Sequence, residues 1–168
     1  MLTLVGEDRP GIVAAVARAL CDADCNLGEA SMIRLGGSFT IMMMVSGQPP
    51  CTSLEEILAP VAADLGLRCH VDPVPGGLHH HIVPNIQVRV MGADRAGIVA
   101  EVAEALAETG FNILELDSDV CGEPERPVYI MNIQGCSGEP IEVLEGALAG
   151  LRERGVSVDV SPVETLIG

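Results

Sequence analysis

Residues 5–13 read VGEDRPGIV, and residues 91–99 read MGADRAGIV. A slide of 86 aligns Gly6–Glu29 with Gly92–Glu115 and gives identities at thirteen of the twenty-four positions. A chain of 168 residues that repeats itself at this spacing is built from two copies of one small unit. Further along, a slide of 88 aligns FTIMMMVSG with PVYIMNIQG, and a slide of 89 aligns VDPV (71–74) with VSPV (160–163). The offset grows only between the matched blocks, as insertions in loops would make it.

Each copy carries the same order of elements. LTLV and IQVRVM have the alternation of short strands. A turn and a helix follow. In the helix Ile12, Val16 and Leu20 recur every four residues with Val13 and Ala17 beside them, and Ile98, Val99, Val102, Ala103 and Leu106 repeat the stripe. The first helix stops near Asp24-Cys25-Asn26 and the second at Gly110, a residue suited to a left-handed cap. NLGEASMIRL and NILELDSDV read as second strands, FTIMMMVSG and VYIMNIQG as third strands. TSLEEILAPVAADLG and GEPIEVLEGALAGLRERG read as second helices, RCHVDPV and VSVDVSPV as fourth strands. Ser53 with Glu56 has capping-box spacing, and Pro60 predicts a kink or a late start in that helix.

The order is βαββαβ, twice. The fold class is α+β: two ferredoxin-like units, each an antiparallel four-stranded sheet with both helices on one face. The units span 1–74 and 85–168, joined by a Pro- and Gly-rich linker at 75–84. On the third strands, Ile41, Met43 and Val45 are matched with Tyr129, Met131 and Ile133 and assigned to the face under the helices. Thr40, Met42, Met44 and Ser46 are matched with Val128, Ile130, Asn132 and Gln134 on the open face. Exposed Met42, Met44 and Ile130 would make that face a contact surface.

The formal net charge is −15, and all nine basic residues are Arg. Direct binding to the nucleic-acid backbone needs a basic face, so it is excluded. Reading RNA on the open sheet also needs aromatics there, and the chain has two Phe, one Tyr and no Trp. No run reaches the length of a membrane helix, and no basic, apolar leader opens the sequence; the expectation is a cytoplasmic protein. The six Cys, with no Cys-x-x-Cys among them, are expected as buried free thiols. No nucleophile, phosphate-loop or metal-hydrolase motif is present, so no catalysis and no cofactor are expected.

The repeated turn carries the chemistry. A strand ends at Gly6; Asp8 and Arg9 follow; Pro10 stands at the first helical turn, where its missing N–H costs nothing. Gly11 lets a backbone or a ligand come close. The amides near Gly11, Ile12 and Val13 lie at a helix start and favour a carboxylate. Asp8 is an anion for an ammonium group, so a free amino acid would match both charges. Asn26, at the entrance to the second strand, is placed close to this turn and adds an amide. Asp94, Gly97, Ile98 and Asn112 repeat the set. The competing reading is structural: Asp before a Pro-Gly helix start is also a common turn and capping choice.

GEDRPGIVAAVARAL…CNLGEASM and GADRAGIVAEVAEAL…GFNILELDS resemble ACT domains, small βαββαβ modules that bind amino acids and regulate metabolism. The resemblance covers nearly the whole chain. A tandem pair without a catalytic domain looks most like the glycine cleavage system transcriptional repressor family. The resemblance implies a sensor of glycine, serine or a similar amino acid that acts on a DNA-binding activator by protein contact, in a homodimer. It implies a ligand lying between two modules, at Gly6, Asp8, Arg9, Pro10, Gly11, Ile12 and Asn26, and at Asp94, Arg95, Gly97, Ile98 and Asn112. The second loop departs from the first in having Ala96 where Pro10 stands. Two other readings stay open: a regulatory or assembly subunit of an amino-acid metabolic enzyme, and a metal-binding protein using His79, His80 and His81 with Cys69 or His70.

Overall fold

The described residues are 1–47, 53–74, 82–93, 96–123 and 126–163 of a computed structural model. In the first half they form β1 (Leu2–Glu7), α1 (Ile12–Asp22), β2 (Asn26–Leu35), β3 (Ser38–Ser46), α2 (Leu54–Leu65) and β4 (Arg68–Val71). The second half gives β5 (Ile86–Ala93), α3 (Ile98–Glu108), β6 (Asn112–Glu123), β7 (Arg126–Cys136), α4 (Ile141–Ala147), α5 (Ala149–Glu153) and β8 (Ser157–Pro162). The sheet orders are β2-β3-β1-β4 and β6-β7-β5-β8, every pairing antiparallel. The chain is thus two βαββαβ units, Met1–His79 and His80–Gly168. Most of the expected connector, residues 75–81, lies outside the described residues.

The cores follow from the periodicities. Ile12, Val16 and Leu20 of α1 are buried against Leu2, Leu4, Phe39, Ile41 and Met43 of the sheet, with Leu58 from α2. Ile98, Val102 and Leu106 of α3 do the same against Val88, Val90, Met131 and Ile133, with Leu144, Leu148 and Leu151. Each such side chain contributes about 1.5–3 kcal/mol by leaving water. The buried stripe is narrower than the sequence suggested: Val13 and Val99 are 45% and 39% exposed.

Helix ends are set by residues that accept a left-handed backbone. After α1, Asp24 takes φ 55°, its N–H bonds Cys21 O, and the Cys25 N–H bonds Leu20 O. After α3, Gly110 takes φ 75° with the matching bonds to Ala107 O and Leu106 O. Both are Schellman-type closures. The Ser53–Glu56 capping box is formed in both directions, each bond 3.2 Å. α2 starts directly after Ser53 and runs unbroken past Pro60, so there is no late start.

The single helix expected at 138–155 is two. Leu148, fully buried with φ −88° and ψ −2°, ends α4 and caps α5. Leu151 N–H bonds Leu148 O three residues back, a tighter turn, and Gly146 and Gly150 weaken the α-helix on either side.

Register corrects one alignment. Leu4 faces Ile41, and Val90 faces Met131, so the third strands correspond by 90 residues and not by 88. The β2–β3 turn closes between Leu35 and Ser38, and the β6–β7 turn between Glu123 and Arg126. Two extra residues on each arm of the second hairpin make the four-residue difference. A shift of two preserves strand parity, so the face assignments hold: Ile41, Met43, Met131 and Ile133 are buried, and Val45 and Tyr129 are partly buried against the same cores. The open faces differ. On the first sheet Met42 and Ile33 are 40% and 55% exposed, and Met42, Met43, Met44 and Ser31 border a shallow hollow of about 210 Å³. On the second, Arg89 bonds Asn132 at 3.1 Å across the strands, and Ile130 is half-buried.

Among the described Cys residues all five are free; Cys25 is buried, Cys69 and Cys136 are half-buried, and Cys21 and Cys121 are exposed, contrary to the expectation for those two. Among the described residues no helix is long and apolar enough to cross a membrane.

Candidate functional site

β1 delivers the chain to the helix-side corner of the sheet, where the repeated turn opens onto α1. Gly6 is there for packing: a Cβ would stand 2.6 Å from Leu67 Cδ2 and 3.2 Å from Gly66 O. Pro10 lies in the turn two residues ahead of the helix, and not in its first turn as expected, because Gly11 is the N-cap. Gly11 has φ 92°, and Gly97 has φ 90° in the second unit, a conformation costly for any residue with a Cβ. Among the described residues no side chain caps either helix opening. An imagined Cβ on Gly11 or Gly97 would meet nothing within 4 Å among the described residues, and beside Gly11 this leaves open space.

In the first unit that space is an open groove of about 480 Å³, bordered by Asp8, Arg9, Gly11, Val13, Ala17, Met32 and Phe39. Its walls are apolar, with charge at one end. Ile12 also borders it, but its side chain is 1% exposed and belongs to the core, leaving its backbone for any contact. Arg9 turns to Glu7, at 3.4 Å.

Asp8 is fixed from two sides. Its amide bonds Gly37 O at 3.0 Å, and its Oδ2 lies 2.6 Å from Arg34 Nε. The β2–β3 turn sets this up: Gly36 and Gly37, at φ 55° and 82°, form a two-residue hairpin that pairs Leu35 with Ser38, hence Arg34 with Phe39. Phe39 in turn faces Gly6, so Arg34 is level with the turn and on the helix side. Its side chain is 64% exposed, so the pair adds only about 0–1 kcal/mol to stability. Sequence reasoning missed Arg34; the Gly-Gly turn was the signal that fixes the register and could have found it.

Asn26 is not brought to this corner. It pairs with Ser46, eight residues along β2 from Arg34, roughly 25 Å of extended strand. Asn112, paired with Cys136, stands equally far from Val120, the residue level with Tyr129 and Gly92. The reason is topological. β1 and β2 both run antiparallel to β3, so they are parallel to each other, and α1 carries the chain back before β2 begins. The entrance to β2 is therefore level with the entrance to β1, not with its exit.

In the second unit, Gly97 and the buried Ile98 take the places of Gly11 and Ile12. Asp94 and Arg95 lie outside the described residues, as do His79, His80 and His81 of the metal reading. Among the described residues no group of three His, Cys, Asp or Glu side chains could hold a metal ion. Cys69 has its thiol pKa raised by burial, with Glu55 adding to the shift.

Residues 1–72 match the model of the ACT domain. The chain is 28% identical over 119 residues to the glycine cleavage system transcriptional repressor of Escherichia coli, a match covering 70% of this chain and 63% of that protein's length. It is 35% identical over 72 residues to the UPF0237 protein YjhC of Lactococcus lactis, covering 42% of this chain and 83% of that one. The crystal structure of an unknown protein from Galdieria sulphuraria has the same fold, with a TM-score of 0.74 at 26% identity, covering 97% of this chain and 96% of that chain.

Proposed function

This chain belongs to the ACT domain family, and on that basis we propose that it is an amino-acid-responsive regulator that acts through protein contact and catalyses nothing. The ligand is a small amino acid, glycine or serine, taken at the opening of α1. The observation that carries this reading is the groove that Gly11, at the α1 opening with no side-chain cap, and Asp8 both border. Amides at a helix start favour a carboxylate, and Asp8 favours an ammonium group. An apolar wall of Val13, Ala17 and Met32 suits a ligand with little side chain.

The similarity to a protein named as a transcriptional repressor supports a transcriptional output. A net charge of −15 favours a route through a DNA-binding activator over contact with DNA itself. β2, the outer strand of its sheet and exposed along all ten residues, supports self-association as a homodimer, since an outer strand is a template for another. The setting is the cytoplasm.

Calorimetry with each of the twenty amino acids tests the ligand. Heat with glycine or serine that disappears in Asp8→Ala is the expected result; no heat with any of them overturns the sensing reading. Pull-down from the native lysate tests the output. Recovery of a transcription factor supports it, and recovery of a metabolic enzyme subunit instead replaces it with the regulatory-subunit reading.

A further inference from the structure

We propose that Arg34 sets the ligand class of the first unit's groove: a ligand bearing both an ammonium and a carboxylate inserts into the Arg34–Asp8 pair, and the second unit does not select in this way. The inference rests on the function proposed above and adds to it the residue that discriminates.

Arg34 meets Asp8 with its Nε 2.6 Å from Oδ2. Its two terminal nitrogens make no hydrogen bond to any described residue, and the side chain is 64% exposed beside Asp8, which borders the groove. Those nitrogens form a planar fork, which suits a carboxylate better than any single donor does. Asp8 is the fixed half: 26% exposed, with its amide held by Gly37, it keeps a second carboxylate oxygen for an ammonium group. A neutral groove floor beneath a fixed anion and an extendable cation matches a zwitterion. A simple amine would compete with Arg34 for Asp8 and gain nothing from the guanidinium. A simple acid would find Arg34 but leave Asp8 facing it.

The duplication supplies the contrast. Arg34 faces Phe39, and Phe39 faces Gly6; in the second unit Val120 faces Tyr129, and Tyr129 faces Gly92. Val120, 50% exposed, therefore stands where Arg34 does and offers no charge.

The test is calorimetry on the full chain with glycine, serine, methylamine and acetate, for the wild type, Arg34→Val and Arg34→Lys. Arg34→Val places the second unit's residue on an exposed edge strand, and an unchanged melting midpoint shows that the fold is kept. The wild type is expected to prefer glycine or serine over methylamine and acetate by about tenfold or more. Arg34→Val loses about tenfold or more in amino-acid affinity and keeps only the weaker preference for glycine over methylamine that the helix amides supply, while Arg34→Lys keeps more of it. If the wild type binds the amino acids and Arg34→Val keeps both affinity and preference, this inference is overturned and the proposed function stands. If the wild type binds neither glycine nor serine, the groove's assignment to these amino acids falls, and the role of Arg34 falls with it.

Discussion

Asp24 and Gly110 occupy the same turn in the two units, one at φ 55° and the other at φ 75°. Asp24 is the only residue other than glycine with positive φ among the described residues. A Cβ at such an angle is strained by about 1 kcal/mol, and Gly removes the strain. Asp24→Gly should therefore raise the unfolding free energy by about 0.5–1 kcal/mol, and Gly110→Ala should lower it by about 1 kcal/mol. Urea unfolding followed by circular dichroism reads both.

The same substitution should have opposite signs at two other glycines. A Cβ on Gly135 would stand 2.2 Å from Asn112 O and 2.5 Å from the Phe111 ring. Backbone cannot yield cheaply, so Gly135→Ala should cost about 3 kcal/mol or more. Gly146 lies inside α4 with nothing within 4 Å of an added Cβ. Gly146→Ala should stabilise by about 0.5–1 kcal/mol, by removing backbone freedom from the unfolded chain.

The capping box at the start of α2 is open to a direct check. Ser53→Ala removes the acceptor for the Glu56 amide and should cost about 1 kcal/mol. Ser53→Asp should keep most of it. A double-mutant cycle with Glu56→Ala measures how far the two bonds depend on each other.

Cys69 gives a pH test. Its folded pKa is raised by burial and by Glu55, so the neutral thiol is the form the fold favours. Below the unfolded thiol's pKa the contribution to stability is fully present; as pH rises through the folded value it is lost. Stability should therefore decline above about pH 8.5 more in the wild type than in Cys69→Ala. Alkylation at pH 8 should reach the exposed Cys21 and Cys121 first, and Cys69 later, as peptide mass mapping would show.

Much of this fold was legible because local pattern and tertiary need agree. Ile12, Val16 and Leu20 announce a helix and are the residues it buries. Ser53 and Glu56 announce a helix start and are bonded there. The exposure of Val13 was not legible, since periodicity marks a stripe but not its width. Hairpin length was not legible either: the matches of Met43 with Met131 and Gly47 with Gly135 favoured an offset two residues short, and period-2 alternation made the wrong register look as good as the right one. The corner itself was half read. Asp8 and Gly11 were found from the turn, but Arg34 is near only through cross-strand pairing, and Asn26 is far only because β1 and β2 run the same way.

The longer arm of the β6–β7 hairpin has a bearing on how the two halves came to differ. In the first unit the short Gly-Gly bend rests on the Asp8 amide through Gly37, tying loop and hairpin into one corner. In the second, the paired strands run two residues further toward the bend on each arm, to Glu123 and Arg126. The interiors of the twins have stayed nearly interchangeable while their corners have been rebuilt. A copied scaffold freed in this way can hold one corner steady and let its sibling drift toward another shape.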